Sequence, residues 1–437
     1  MRGEVLLLSS NVNITASTDA ASMSAAYPRP YGCQILVSDF FEPEDFTYRF
    51  GEINIDNVAL FNCSQEATDQ AAIKFHYATK GVKRVTNSAI SSGLGKGVLI
   101  FNSKGVTLDG NVIHDFITWG IHADKSQQLV INNNVINGIK TENDWPLEYM
   151  KWAGYNGGLY LGTSTDFVVT NNIAASTWHA GFMLPAYKCG GTQVNFGNVA
   201  HSISGYGVIV QKPKKTGNCF EFSDFKGYKT RIAVVHMGGG LGATTNKVRD
   251  IVAIDASTGL MAFSSKSGHV EVSNSRFYGG QNMPNLDCPR GDNCDQCITK
   301  QGLWIPVFGK HETGVIKAPD KLGKMFAAGG SWGGSSLMKD NKFIGYERKT
   351  TVCGGDQSAI VTNNIHPDYH PLANFLRTEF KDVDESAMFA FGSPKQGWAN
   401  HSDCGDFTCT GLYNVLVEME GTRYTGITRV FGWKPEF

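Results

Sequence analysis

A tetrapeptide with glycine or another small residue at its head and mostly apolar residues behind it recurs seven times between Ser88 and Ala262, and nothing else in the chain constrains its fold as tightly. The copies are Gly97-Val98-Leu99-Ile100, Gly120-Ile121-His122-Ala123, Gly158-Leu159-Tyr160-Leu161, Gly181-Phe182-Met183-Leu184, Gly207-Val208-Ile209-Val210, Ala233-Val234-Val235-His236 and Gly259-Leu260-Met261-Ala262. Their starts lie 23, 38, 23, 26, 26 and 26 residues apart, the long interval being one of 23 with 15 inserted. Nine residues before a start stands Ser88, Asn111, Asn172, Asn198, Asp224 or Asp250, and Asn134 fills the interrupted repeat. Two columns of different chemistry that keep one phase mark a solenoid.

The residues inside each repeat choose among solenoids. Short β-branched and apolar runs, broken by Gly, Asn and Asp and lacking a helical period, read as strands. The Leu and Asn consensus of leucine-rich repeats is missing. The expected fold is an all-β right-handed parallel β-helix with a C-terminal β-rich extension. Equivalent residues then stack about 4.8 Å apart, so the Asn column predicts a hydrogen-bonded ladder. Alternation along a strand turns Val98/Ile100, Ile121/Ala123, Phe182/Leu184 and Val208/Val210 inward, and it places His236 in an inward column as a core histidine. The file between them, Leu99, His122, Tyr160, Met183, Ile209, Val235 and Met261, faces out. Such an apolar stripe is expected to be covered by another segment, or to serve self-association or a protein partner.

Charge excludes several function classes. Lys and Arg number 39 against 40 Asp and Glu, and charged residues make up 18% of the chain. No basic face for nucleic acid is expected, and no apolar run reaches the ~20 residues of a transmembrane helix. Ten cysteines and three sequons, at Asn13, Asn62 and Asn400, point to an oxidising compartment. The chain is expected to be extracellular or at the cell surface, with covalently attached glycans. Its start, MRGEVLLLSS, has too short an apolar core for a secretory signal, so a piece of a larger surface protein is expected.

Successive segments also resemble a known family. Residues 2–14 (RGEVLLLSSNVNI), 31–37 (YGCQILV), 53–65 (INIDNVALFNCSQ), 87–100 (NSAISSGLGKGVLI) and 105–124 (GVTLDGNVIHDFITWGIHAD) follow one another as in fibrocystin and fibrocystin-like cell-surface proteins. The order continues through residues 130–140, 164–184 and 388–417. The resemblance implies a β-helix, and it extends to the transmembrane and secreted hyaluronan-degrading proteins. In those relatives the residues proposed for cleavage belong largely to a domain that precedes the β-helix, so none transfers to this chain.

Four regions are expected: a β-rich cap with the first coils (1–80), core repeats (81–281), a Cys/Gly-rich region (282–341), and further coils or a packed sheet (342–437). The insert between Asn134 and Gly158 carries the most chemistry. Asp144 and Glu148 are carboxylates suited to acid and base work on a glycosidic bond, and Trp145 and Trp152 offer flat faces for sugar. With His122 and Tyr160 from adjacent coils they form a candidate active site, the alternative function being a polysaccharide hydrolase or lyase. Otherwise the insert is a surface loop that covers the stripe, and the chain is a structural, adhesive or carbohydrate-binding module. Cys404 and Cys409 are expected to close a local disulfide. Cys288, Cys294 and Cys297 lack a fourth ligand nearby, so no metal centre is expected. No cofactor is expected, although Asp382, Asp384 and Glu385 have the chemistry of a structural calcium site as well as of surface turns. The stretch FFEPEDFTY reads as an acidic, aromatic loop.

Overall fold

The computed structural model describes residues 12–16, 32–65, 68–140, 156–211, 217–237, 245–256, 258–262, 268–280, 297–307, 334–347, 355–364, 372–391, 413–419 and 422–428. Asp144, Trp145, Glu148, Trp152, Asn400, Cys404 and Cys409 lie outside the described residues. The chain forms two compact units, residues 1–185 with 193–208 and residues 186–192 with 209–437.

In the first unit the coils stack as three parallel faces. One face orders Ile35–Val37, Ala71–His76, Lys96–Phe101, Trp119–Asp124, Gly157–Tyr160 and Ala180–Pro185. Its register is the one expected from the repeat, with Val98, Ile121, Leu159 and Phe182 in one buried file. A second face carries the inward file Ile55, Val85, Leu108, Ile131 and Val169. The third carries Ile113, Ile136, Ala174 and Ala200. These files are the core, and their burial drives the stacking.

The glycine column has a steric cause. A Cβ built on Gly97 would stand 2.6 Å from the Gly120 carbonyl oxygen, and one on Gly158 would stand 2.5 Å from that of Gly181. Any larger side chain at these corners pushes two coils apart. The Asn ladder is equally literal. The backbone N–H of Ser88, Asn111, Asn134 and Asn172 donates to the side-chain oxygen of Asn111, Asn134, Asn172 and Asn198 respectively, at 3.0–3.1 Å. Each of Asn111, Asn134 and Asn172 also passes an amide hydrogen bond to the next coil. A second ladder, not foreseen from the sequence, runs where the N–H of Ala78, Ser103 and Ser126 donates to the hydroxyl of Ser103, Ser126 and Ser164. Backbone groups at these bends cannot reach a sheet partner, and the side chains satisfy them.

Within the second unit the repeat changes phase. Val235 pairs with Leu260 and His236 with Met261, one residue off the spacing expected from the sequence. His236 therefore stands in register with Met261 rather than with Ala262, yet it is buried. The polar column slips likewise. Asp224 and Asp250 have φ of 55° and 57°, as do their first-unit counterparts Asn133 and Asn171 at 54° and 55°, which precede the ladder residues. Phe225 and Ile251 occupy the ladder position, and hydrogen bonding resumes when the Ile251 N–H donates to Ser275 and that of Ser275 to Asn341.

The C-terminal extension is built of further parallel coils. Arg276–Tyr278, Lys342–Ile344 and Glu379–Lys381 stack in register, and their inward residues Phe277, Phe343 and Phe380 form a ring stack with centroids 5.1 and 5.5 Å apart. The described strands end in an antiparallel pair, Tyr413–Met419 with Thr422–Thr428. Disulfides join Cys33 to Cys63 in the first unit and Cys189 to Cys219 in the second.

The outward apolar file is not a bare stripe. Leu99, Met183, Ile209 and Met261 are buried, as is His236, which the register brings into line with Met261 in place of Val235, and only His122 and Tyr160 remain half-exposed. The burial is complete within the single chain, so their cover is intramolecular.

Candidate functional site

His122 and Tyr160 do meet. They pair across adjacent strands, and their rings lie 4.9 Å apart at 83°. Trp119, from the same strand as His122, completes the group with its ring 5.3 Å from Tyr160 and 6.0 Å from His122. The Trp119 ring fits because Gly157 faces it: a Cβ there would lie 3.2 Å from Cζ3 of Trp119 and 2.1 Å from the Ala180 carbonyl oxygen. Charged groups rim the cluster. Lys96 pairs with Asp69, and Asp124 accepts hydrogen bonds from the Thr163 N–H at 2.8 Å and its hydroxyl at 2.9 Å.

Burial pushes the His122 imidazole down to about 4, helped by the Lys96 ammonium and opposed by Asp124 and Asp69. Its Nδ1 is buried and without a hydrogen-bond partner among the described residues. Burial, then Asp124, raises the Tyr160 phenol. For Asp69 the upward push of burial is outweighed by Lys96. At neutral pH the cluster thus holds a neutral imidazole, a protonated phenol and the ionised Asp69, a set able to accept or donate protons and to bind hydroxyls. Sequence reasoning missed Trp119, Lys96, Asp69 and Asp124. Asp124 was legible, because it follows His122 by two and so shares its face. Asp69 comes from a preceding loop and carries no such signal.

His114 and His201 share a column separated by Asn137 and Ala175, so they stand three rungs apart, as the spacing requires. Among the described residues no three His, Cys, Asp or Glu converge on a metal position. Asp384 serves a turn, its carbonyl accepting the Ala387 N–H at the short helix Glu385–Met388.

The segment expected as an acidic loop is instead an antiparallel hairpin, Phe40–Glu42 with Thr47–Arg49. Aromatic residues on both arms favour strand pairing, and Asp45 closes the turn by accepting from the Thr47 N–H and Arg49. At its base Asp39 accepts from the Gly51 N–H at 2.9 Å, the Thr79 N–H at 2.8 Å and the Thr79 hydroxyl at 2.6 Å. Burial raises that carboxyl, and these hydrogen bonds overcome it and hold the group below the usual carboxylate range. The pinned hairpin exposes 56% of Phe40, 82% of Phe46 and 67% of Tyr48.

The two described sequons differ in environment. Asn13 lies exposed on an outer strand. Asn62 is half-buried, its neighbour Cys63 is in a disulfide, and the buried Ser64 hydroxyl accepts the Gly95 N–H at 2.8 Å.

Residues 47–220 match the family described as a right-handed β-helix region. Human fibrocystin-L is 21% identical over 454 aligned residues, covering 93% of this chain and 10% of the relative. Mouse fibrocystin is 24% identical over 60% of the chain and 6% of its own length, and dog fibrocystin 23% over 48% and 5%. The chain thus spans a tenth or less of the length of these curated relatives. The Gly-cornered, Asn-laddered coils and the match over residues 47–220 identify the fold as a right-handed parallel β-helix, and in sequence the chain is similar to the fibrocystins.

Proposed function

We propose that the chain is a module of a larger extracellular or cell-surface glycoprotein, and that its role is structural and adhesive. One observation carries this reading: the coil stack holds out a pinned hairpin whose Phe40, Phe46 and Tyr48 are exposed beyond what a solvated turn requires. Large aromatics with an apolar face and, for tyrosine, a polar tip are the side chains that dominate contact energy at interfaces. The disulfides in each unit and the exposed Asn13 sequon support the oxidising compartment. The test is attachment of cells to the immobilised full chain. The Phe46→Ser, Tyr48→Ser double variant is expected to reduce attachment severalfold with unfolding unchanged. Attachment equal to the parent, or none with the parent, would sink the adhesive role.

A second reading, cleavage of polysaccharide, is favoured by the neutral imidazole of His122 beside Tyr160 and Asp124. Its measure is product release from uronate-containing polysaccharides by the full chain and its loss in His122→Gln.

A further inference from the structure

In the second unit a groove of about 660 Å³ crosses the coils that carry Asn274–Tyr278, Asp340–Ile344 and Arg377–Asp382. Its wall is a charged ladder: Arg276, Lys342 and Glu379 are paired in register on successive strands, and Tyr278, Ile344 and Lys381 form the parallel file two residues along. The side chains point outward because Phe277, Phe343 and Phe380 between them fill the interior.

Much of this charge is internally committed. Lys342 pairs with Glu379 at 2.5 Å, and Arg377 grips Asp340 with two hydrogen bonds, at 2.5 and 2.8 Å. Arg276 and Lys381 are exposed, and among the described residues neither enters an ion pair. They stand two rungs apart along the stack and two residues apart across it, about 12 Å in all by strand spacing and rise per residue. Tyr278 and Ile344 lie half-exposed between them and give the groove an apolar strip. Asp382 and Asn274 border it with hydrogen-bond acceptors.

We propose that this groove is a binding site for a carboxylated oligosaccharide of the oligouronate class. Two cationic side chains two rungs apart suit carboxylates on alternate sugar rings, and a guanidinium can hold one of them through two parallel hydrogen bonds. Ring hydroxyls need both donors and acceptors, which the mixture of Asn274, Asp382 and the paired charges supplies. The apolar face of a sugar ring can lie on Tyr278 and Ile344. A phosphate polymer carries a charge on every residue and would want cations throughout, whereas Glu379 and Asp340 here tie up Lys342 and Arg377. This site is built from residues of the second unit and shares none with the hairpin or the His122 cluster, so it stands independently of the adhesive role.

Calorimetric titration of the full chain with a tetra-uronate, against the same tetrasaccharide with its carboxyls reduced to alcohols, tests the proposal. Saturable binding of the tetra-uronate is expected, with the reduced form at least about tenfold weaker. Arg276→Gln and Lys381→Gln should each weaken tetra-uronate binding by a similar factor with an unchanged thermal midpoint, since both side chains are exposed. Arg84→Gln, at an exposed position of the first unit, should bind as the parent does. The proposal is overturned if the tetra-uronate does not bind, if the reduced sugar binds equally well, or if both groove variants retain full affinity.

Discussion

Replacing Asn172 by alanine removes the centre of the buried ladder. Its Oδ1 accepts from the Asn134 N–H and the Asn134 amide at 3.0 Å, and its Nδ2 donates to the Ile131 and Thr170 carbonyls and to Asn198 Oδ1 at 2.9–3.1 Å. The Asn134 amide keeps the Leu108 and Asn132 carbonyls, so its loss is small. The Asn134 N–H loses its acceptor outright and the Ile131 carbonyl loses a donor, both at fully buried residues, whereas the Thr170 carbonyl keeps the Asn133 N–H. At about 1–3 kcal/mol for each buried group so stranded, and allowing for relaxation, the variant should be less stable by about 3–5 kcal/mol. Val168→Ala, on an outward position of the neighbouring strand, should cost below about 1 kcal/mol. Urea unfolding followed by tryptophan fluorescence reads the global change. Hydrogen exchange at the Asn134 amide reads the local one, which should accelerate by about 100-fold or more. An Asn172→Ala protein within about 1 kcal/mol of the parent, with the Asn134 amide still protected, would refute the reasoning.

Other consequences follow from the same geometry. Gly158→Ala sets a methyl 2.5 Å from the Gly181 carbonyl oxygen and should destabilise by about 1–3 kcal/mol in urea titration, with no loss of apolar burial to explain it. His122 has a folded-state value of about 4, below its ordinary 6.5, so between those pH values the unfolded chain binds the extra proton. Stability is therefore full above pH 6.5 and falls as pH drops toward 4. His122→Gln should flatten that slope by about one proton's worth, and NMR titration of the imidazole checks the value directly. Cys33→Ser or Cys189→Ser should each cost about 2–5 kcal/mol, and a non-reducing peptide map should recover the pairs 33–63 and 189–219. In protein secreted from animal cells, glycopeptide mass spectrometry should find glycan at Asn13 and far lower occupancy at Asn62, where folding buries the Ser64 hydroxyl.

The fold was legible because its two strongest columns are direct stereochemical requirements. Glycine recurs where the next coil's carbonyl oxygen leaves no room for a Cβ, and Asn recurs where an N–H needs a side-chain acceptor. The one-residue slip at Asp224 and Asp250 came from the same chemistry. Asn and Asp also tolerate the left-handed turn conformation, so the residues just before the ladder imitate it in sequence. The Ser103–Ser126–Ser164 ladder escaped notice because serine is common in turns and marks no position as distinctively as a buried Asn does. Alternation placed the Leu99–Met183 file between the inward residues, but the burial of its members is a tertiary property that periodicity cannot report. The pairing of His122 with Tyr160 followed from register alone, whereas Trp119 and Asp69 reach the cluster by corner geometry. The disulfides could not be paired from ten cysteines without knowing which coils adjoin.

Spin labels in pairs at Thr107, Val130 and Val168 test the stack itself, since these outward positions occupy three successive rungs. Val130 with Val168 and Thr107 with Val130 should show strong dipolar broadening, at backbone separations of about 5 Å, and Thr107 with Val168 a weaker coupling at about 10 Å. Absence of broadening between Val130 and Val168, or stronger coupling across two rungs than across one, would contradict the coil register on which every site described above depends.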